Sequence, residues 1–183
     1  MTNVFTWLWR LVTGRPSRAG TSPFPAGQGP ARLVVIRHGE KTGKKSDPNL
    51  SPAGTARADR LATYIPETFG KPDFLIAAQT SKRSRRPVET LEPLAAATGV
   101  TIRDDIDDSE VKKLVRALRD DPVYRGGSGV ISWRHSDIPR LVAALGAPES
   151  LLPDWHEDDY TTVVVIDYRD GKPPAARRLA MPF

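Results

Sequence analysis

The sequence predicts an α/β fold: a three-layer sandwich with a mostly parallel central sheet and helices on both faces. Short aliphatic runs alternate from residue 32 onward with stretches whose apolar residues recur at helical spacing. The first of these runs is aliphatic without a polar break, as a strand covered on both faces requires. The chain has 183 residues, 39% of them hydrophobic, enough for one buried core but short for two.

The elements follow in order. Residues 33–36 form the first strand. Ser51 and Pro52 open a helix with Ala58, Leu61 and Ile65 on one face. Residues 74–77 are a second strand, and Val88, Leu91, Leu94 and Ala95 mark a second helix ended by Gly99. A short strand is expected near residues 100–103. Residues 107–109 cap a helix carrying Val111, Leu114, Val115 and Leu118 on one stripe. Residues 130–133 are a strand, and Ile138, Leu141, Val142 and Leu145 form a further helical stripe closed by Gly146. Residues 163–166 are a strand, and residues 177–180 a last strand at the sheet edge. There is no internal repeat.

Composition excludes several classes. The chain has no cysteine, so disulfides, thiolate zinc sites and a cysteine nucleophile are all ruled out. It has no run of apolar residues long enough to span a bilayer. The net charge is +5, of which Arg10, Arg15 and Arg18 supply +3 within residues 1–31, where there is no acid. The other basic knot is Lys82, Arg83, Arg85 and Arg86. No aromatic residue interleaves it, so no nucleic-acid partner is expected.

Residues 1–31 read as an N-terminal arm and residues 32–183 as the catalytic domain. Within the arm, residues 4–12 are a short apolar stretch containing Trp7 and Trp9, and residues 14–30 hold four Gly and four Pro, a linker composition. The expected location is cytoplasmic, with weak peripheral contact at a membrane surface through residues 4–12. Liposome sedimentation with and without residues 1–30 tests that contact.

In open α/β sheets, sites form at the C-terminal ends of strands. His38 follows the first strand by two residues and His135 follows the strand 130–133 by two. Each is directly preceded by an arginine, Arg37 or Arg134. Arg85 and Arg86 lie beyond the strand 74–77, where a helix starts. Two imidazoles and several guanidiniums delivered to one edge make an electropositive pocket for a phosphoryl group. The helix after His135 adds free N–H groups that favour an anion. Lys41, Lys44 and Lys45 follow the first motif and are candidates for a second anionic group on a substrate. His156, with Glu157, Asp158 and Asp159, has no defined ligand spacing and reads as an exposed acidic loop; no metal and no cofactor are expected. Gly126, Gly127 and Gly129 match no nucleotide fingerprint, and no serine sits in a nucleophile elbow.

Arg37-His38-Gly39-Glu40 resembles the signature of the histidine phosphatase superfamily, the phosphoglycerate-mutase-like proteins, and the chain resembles its small phosphatase branch. Leu50 to Gly54 with Arg57-Ala58 is similar to the family's first-helix segment. Ser81 to Thr90, followed by Glu92 to Ala95, resembles the segment of its second phosphate-binding arginine. Trp133 to Ser136, with Ile138-Pro139 and Leu145-Gly146, resembles the segment of its second histidine. The resemblance implies His38 as nucleophile, Arg37 and Arg86 as the phosphate clamp, and His135 as stabiliser of charge in transfer. It implies a substrate-binding set of Arg37, Gly39, Glu40, Arg85, Arg86, Arg134 and Ser136. Asp107, Asp108 and Glu110 are the candidates for the general acid. Arg134 stands where members often carry glycine, and Asp137 where many carry asparagine. The expected function is a metal-independent phosphatase that hydrolyses a phosphomonoester or a phosphoprotein through a phosphohistidine on His38. The alternative is a non-catalytic phosphate-binding or interaction module on the same fold. The expected partner is a phosphorylated small molecule or a phosphoprotein.

Overall fold

The structure, a computed structural model, describes residues 20–44 and 46–183. The apolar stretch at residues 4–12 lies outside the described residues. In chain order the elements are β1 (Arg32–Arg37), α1 (Pro52–Phe69), β2 (Phe74–Ala78), α2 (Arg86–Thr98), β3 (Ile102–Ile106), α3 (Val111–Asp120), β4 (Ser128–Trp133), α4 (Ile138–Ala144), β5 (Thr162–Asp167) and β6 (Ala175–Ala180). They form one six-stranded sheet in the order β3-β2-β4-β1-β5-β6. The pairs β1–β4, β2–β4 and β2–β3 are parallel, and β1–β5 and β5–β6 are antiparallel.

The central strands are covered on both faces, which is why they read as unbroken aliphatic runs. The period of two assigns alternate residues to opposite cores. Val34 and Ile36 point to the layer of α1 and α2, where they meet Leu61, Ile65, Leu91 and Leu94. Leu33 and Val35 point to the layer of α3 and α4, where they join Trp133, Leu114, Leu118, Ile138 and Leu141. Gly129 in β4 is required by packing: a Cβ there would stand 1.9 Å from the Phe74 ring.

Three local features depart from the sequence expectation. The strand expected at residues 100–103 runs from Ile102 to Ile106. Asp104 and Asp105 disfavour a strand by propensity, but β3 is the sheet edge, so their charges stay in water and Asp105 pairs with Arg103 at 2.6 Å. The cap expected from residues 107–109 forms a turn instead: Asp107 Oδ1 accepts from Ser109 N at 2.9 Å, and α3 starts only after Glu110. Residues 20–31, the second part of the Gly/Pro-rich stretch, lie packed against the domain. Phe24 is buried and meets Tyr168 edge-on at 4.9 Å between ring centroids, and Ala31 N donates to Gly127 O at 2.8 Å. Burying one such aromatic contributes about 2 kcal/mol toward holding the strap, beside its backbone hydrogen bonds.

Candidate active site

Strand pairing brings the two histidines together. β1 and β4 are neighbours with Arg37 opposite Trp133, and His38 N donates to Trp133 O at 3.1 Å. His38 is the first residue beyond β1, and His135 is the second beyond β4, so both leave the same edge of the sheet. On the other side of β4, β2 leads to α2, whose first residue is Arg86.

The His38 ring is 5% exposed, and its Nδ1 lies 2.7 Å from Gly39 O. A carbonyl can only accept, so Nδ1 carries the hydrogen and Nε2 keeps its lone pair. Burial, then the charges of Arg37 and Arg86 and the neighbouring His135, push the imidazole pKa down to about 3, against the opposing Gly39 bond. The ring is therefore neutral at neutral pH. Gly39 is itself held. Its N–H donates to Thr90 Oγ1 at 2.8 Å, and that fully buried hydroxyl donates to Arg86 O at 2.7 Å. One threonine thus joins the turn after β1 to the start of α2. Ser51 N donates to Glu40 O at 2.8 Å, and Gly54 lets α1 press on the same peptide: a Cβ there would stand 2.5 Å from Glu40 O.

Arg37 and Arg86 are both gripped by carbonyls. Arg37 is 2% exposed; its Nη1 donates to Glu157 O and, at 3.3 Å, to Asp159 O, and its Nη2 donates to the Tyr160 hydroxyl at 3.0 Å. Arg86 donates from Nη1 to Asp47 O at 2.9 Å and from Nη2 to Arg83 O at 3.3 Å. In each guanidinium the Nε is buried and has no hydrogen bond among the described residues, and the same holds for His135 Nδ1. An unpaired buried polar group costs about 1–3 kcal/mol. Two of the three are on cations, and the charges of Arg37, Arg86 and His135 all bear on the His38 imidazole. Burial, followed by the charges of Arg37, Lys41 and Arg134, holds the His135 pKa below its ordinary value.

The segment at residues 155–160 differs from its reading as an exposed acidic loop. The side chains of His156, Glu157 and Asp158 do face water, but the backbone grips Arg37. It is well fixed: Trp155 is buried with Nε1 donating to Asp159 O at 2.8 Å. The Asp159 carboxylate accepts from the Thr161 and Thr162 N–H groups, both at 3.0 Å, and from Thr162 Oγ1 at 2.6 Å. Asp159 with Thr161 and Thr162 two and three positions on is a turn signal in the sequence, a sign there that this stretch is ordered.

The structure sorts the remaining sequence candidates. Arg85 turns away to Glu89 and Glu92, each at 3.9 Å, while its neighbour Arg86 faces inward. Glu40 is spent on a bidentate pair with Arg57, 2.7 to 3.0 Å. Burial raises its pKa, but the bonds and charge of Arg57 outweigh this and hold the carboxyl below its ordinary range. Both polar groups of Gly39 are engaged as described, and Ser136 is exposed and donates to Asp137 at 2.9 Å. The Glu40 carboxylate, the Ser136 hydroxyl and both polar groups of Gly39 are thus engaged within the protein, and Arg85 is turned to carboxylates of its own helix. Arg134 lies at the rim, 3.7 Å from Asp108. Of the N–H groups after His135, those of Asp137 and Ile138 donate to Arg134 O, and α4 has only seven residues.

The three acid candidates also separate. Asp107 is held below its ordinary pKa by hydrogen bonds from Ser109. Glu110 is exposed and pairs with Lys113 at 3.0 Å. Asp108 alone is raised, by burial first, with Arg134 opposing and Asp107 and Asp137 adding to it. Its carbonyl accepts from Trp133 Nε1 at 3.0 Å, which ties it to the end of β4. Among the described residues, no group of three or more His, Cys, Asp or Glu is placed to hold a metal ion. No helix among them is long and apolar enough to cross a membrane.

The fold is shared with solved phosphatases of low sequence identity. A SixA protein of Agrobacterium tumefaciens aligns with a TM-score of 0.59 at 19% identity, over 86% of this chain and 99% of the other. The protein histidine phosphatase SixA solved with tungstate aligns with a TM-score of 0.56 at 13% identity, over 81% and 96%. A mycobacterial glucosyl-3-phosphoglycerate phosphatase solved with VO3 aligns with a TM-score of 0.55 at 14% identity, over 82% and 98%. No protein-family model matches the sequence, and no curated protein matches it. Likeness at these identities establishes the fold.

Proposed function

We propose that the protein is a phosphatase that hydrolyses a phosphomonoester or phosphoprotein through a phosphohistidine on His38, without a metal ion. One observation carries the reading. A buried neutral imidazole, its Nδ1 hydrogen committed to Gly39 O, feels the charges of Arg37, Arg86 and His135, and among the described residues Arg37 Nε, Arg86 Nε and His135 Nδ1 have no hydrogen-bond partner. The activities of the fold neighbours, on phosphohistidine and on a sugar phosphate ester, agree with it.

In the first step the His38 Nε2 lone pair attacks phosphorus and the P–O bond to the leaving group breaks. Arg37, Arg86 and His135 take the charge on the nonbridging oxygens. Asp108 gives its proton to the leaving oxygen. In the second step a water attacks the phosphohistidine and gives a proton to the Asp108 carboxylate. The P–N bond breaks, phosphate departs, and Asp108 is ready to act as acid again. Splitting hydrolysis this way uses one imidazole twice and leaves Arg37, Arg86 and His135 in place throughout. The domain that does this spans residues 32–183.

The test is hydrolysis of p-nitrophenyl phosphate in the presence of a chelator, from mildly acidic to neutral pH, for wild type and His38→Ala. Turnover that survives the chelator and disappears in the variant is expected. Turnover that persists in His38→Ala, or that the chelator abolishes, refutes the mechanism. No turnover of any ester, with a melting temperature that rises on adding phosphate, identifies a phosphate-binding module instead.

A further inference from the structure

Tyr160 ends the segment 155–160, just before β5. Its hydroxyl oxygen accepts from Arg37 Nη2 at 3.0 Å, and the Arg37 guanidinium carbon lies 3.7 Å from its ring centroid. A phenol has one proton to give and an oxygen that accepts. Here the oxygen is engaged by a cation, so the O–H must point to some other acceptor. Among the described residues none takes it. Its partner Arg37 is one of the two guanidiniums whose Nε–H has no hydrogen-bond partner among the described residues. The Tyr160 backbone is anchored by the Asp159 turn and by Trp155.

We propose that Tyr160 is a further catalytic residue of this site: its O–H donates to a nonbridging oxygen of the phosphoryl group held by Arg37 and Arg86, while its oxygen keeps Arg37 in place. This rests on the phosphatase reading above. An O–H whose oxygen already accepts from a guanidinium is polarised and donates more strongly. A donor placed where charge grows during transfer favours the transition state over the bound substrate. The proton stays on Tyr160 throughout, and no bond to its oxygen forms or breaks.

Tyr160→Phe keeps the ring against Arg37 and removes only the hydroxyl. For p-nitrophenyl phosphate, kcat/KM is expected to fall about ten- to a hundred-fold, chiefly in kcat, and inhibition by orthovanadate to weaken by a similar factor. Inhibition by inorganic phosphate, a ground-state ligand, is expected to weaken less than about three-fold. The same substitution is then made in an Arg37→Ala background. A hydroxyl that meets the phosphoryl group directly keeps most of its effect there, whereas one that only props Arg37 has none. A Phe variant that folds with the wild-type melting temperature and matches wild-type kcat and vanadate inhibition overturns the proposal. So does an effect that vanishes with Arg37→Ala. If wild type shows His38-dependent turnover and the Phe variant equals it, Tyr160 alone is wrongly assigned. If wild type turns over no ester and neither anion raises its melting temperature, the phosphatase reading falls and this inference with it.

Discussion

Acid should unfold this protein earlier than its carboxylates alone require, because of His38. The imidazole has an ordinary pKa of 6.5 and is pushed down to about 3 in the folded protein, by burial first and then by Arg37, Arg86 and His135. The unfolded chain therefore binds the proton first. Stability from this group is complete above the unfolded value and is lost as pH falls from 6.5 toward 3. Between about pH 7 and about pH 5 the linkage amounts to about 2 kcal/mol, because each pH step below the unfolded pKa costs about 1.4 kcal/mol. The assay is urea unfolding at several pH values in that range, for wild type and His38→Gln. The glutamine variant is less stable throughout but lacks this proton, so its profile should be flatter by about 2 kcal/mol over the interval. His135, His156 and the carboxylates are common to both proteins and largely cancel in the difference. Parallel profiles would show that His38 is as free to take a proton in the folded protein as in the unfolded chain. The account of a neutral nucleophile pinned on Gly39 O would then be wrong.

Two more predictions follow from the site and its support. Asp108→Asn should cut turnover of an alkyl phosphate about a hundred-fold but that of p-nitrophenyl phosphate far less, since nitrophenolate leaves without a proton; equal losses on both esters would remove Asp108 as the acid. For the wild type, alkyl phosphate turnover should also fall as pH rises through the raised Asp108 pKa, because the acid form is lost there. Gly54→Ala gains about 1 kcal/mol in helix propensity, but its Cβ would stand 2.5 Å from a backbone oxygen that cannot yield, a strain of about 1–3 kcal/mol. A net loss of stability is expected from thermal melting, together with reduced His38-dependent turnover; a more stable variant would contradict the close approach of α1 to the Glu40 peptide.

Much of the architecture was legible in the chain because it depends on local pattern. Aliphatic runs such as 33–36 and 163–166 have one physical solution, a strand covered on both faces, and they lie where β1 and β5 are found. The stripes of α1 and α2 follow in the same way from period 3.6. The pattern was weakest at β3, where edge exposure tolerates aspartates that propensity rejects, and at residues 20–31, where the burial of one phenylalanine outweighs a linker composition.

The site divides along the same line. That His38 and His135 each follow a strand, with arginines at hand, is a property of sequence order. Which of the flanking polar groups face an anion is not, because it depends on which donors the fold has already used. Arg85 and Arg86 are adjacent in sequence and alike in chemistry, yet helix geometry turns one to Glu89 and Glu92 and the other to the carbonyls of Asp47 and Arg83. Glu40 is in the motif, but Arg57 takes its carboxylate. Tyr160 lies more than a hundred positions from Arg37 and is brought to it only by the antiparallel pairing of β5 with β1. Backbone periodicity is written along the chain, whereas the satisfaction of buried hydrogen bonds is a three-dimensional account that closes only when every partner is in place.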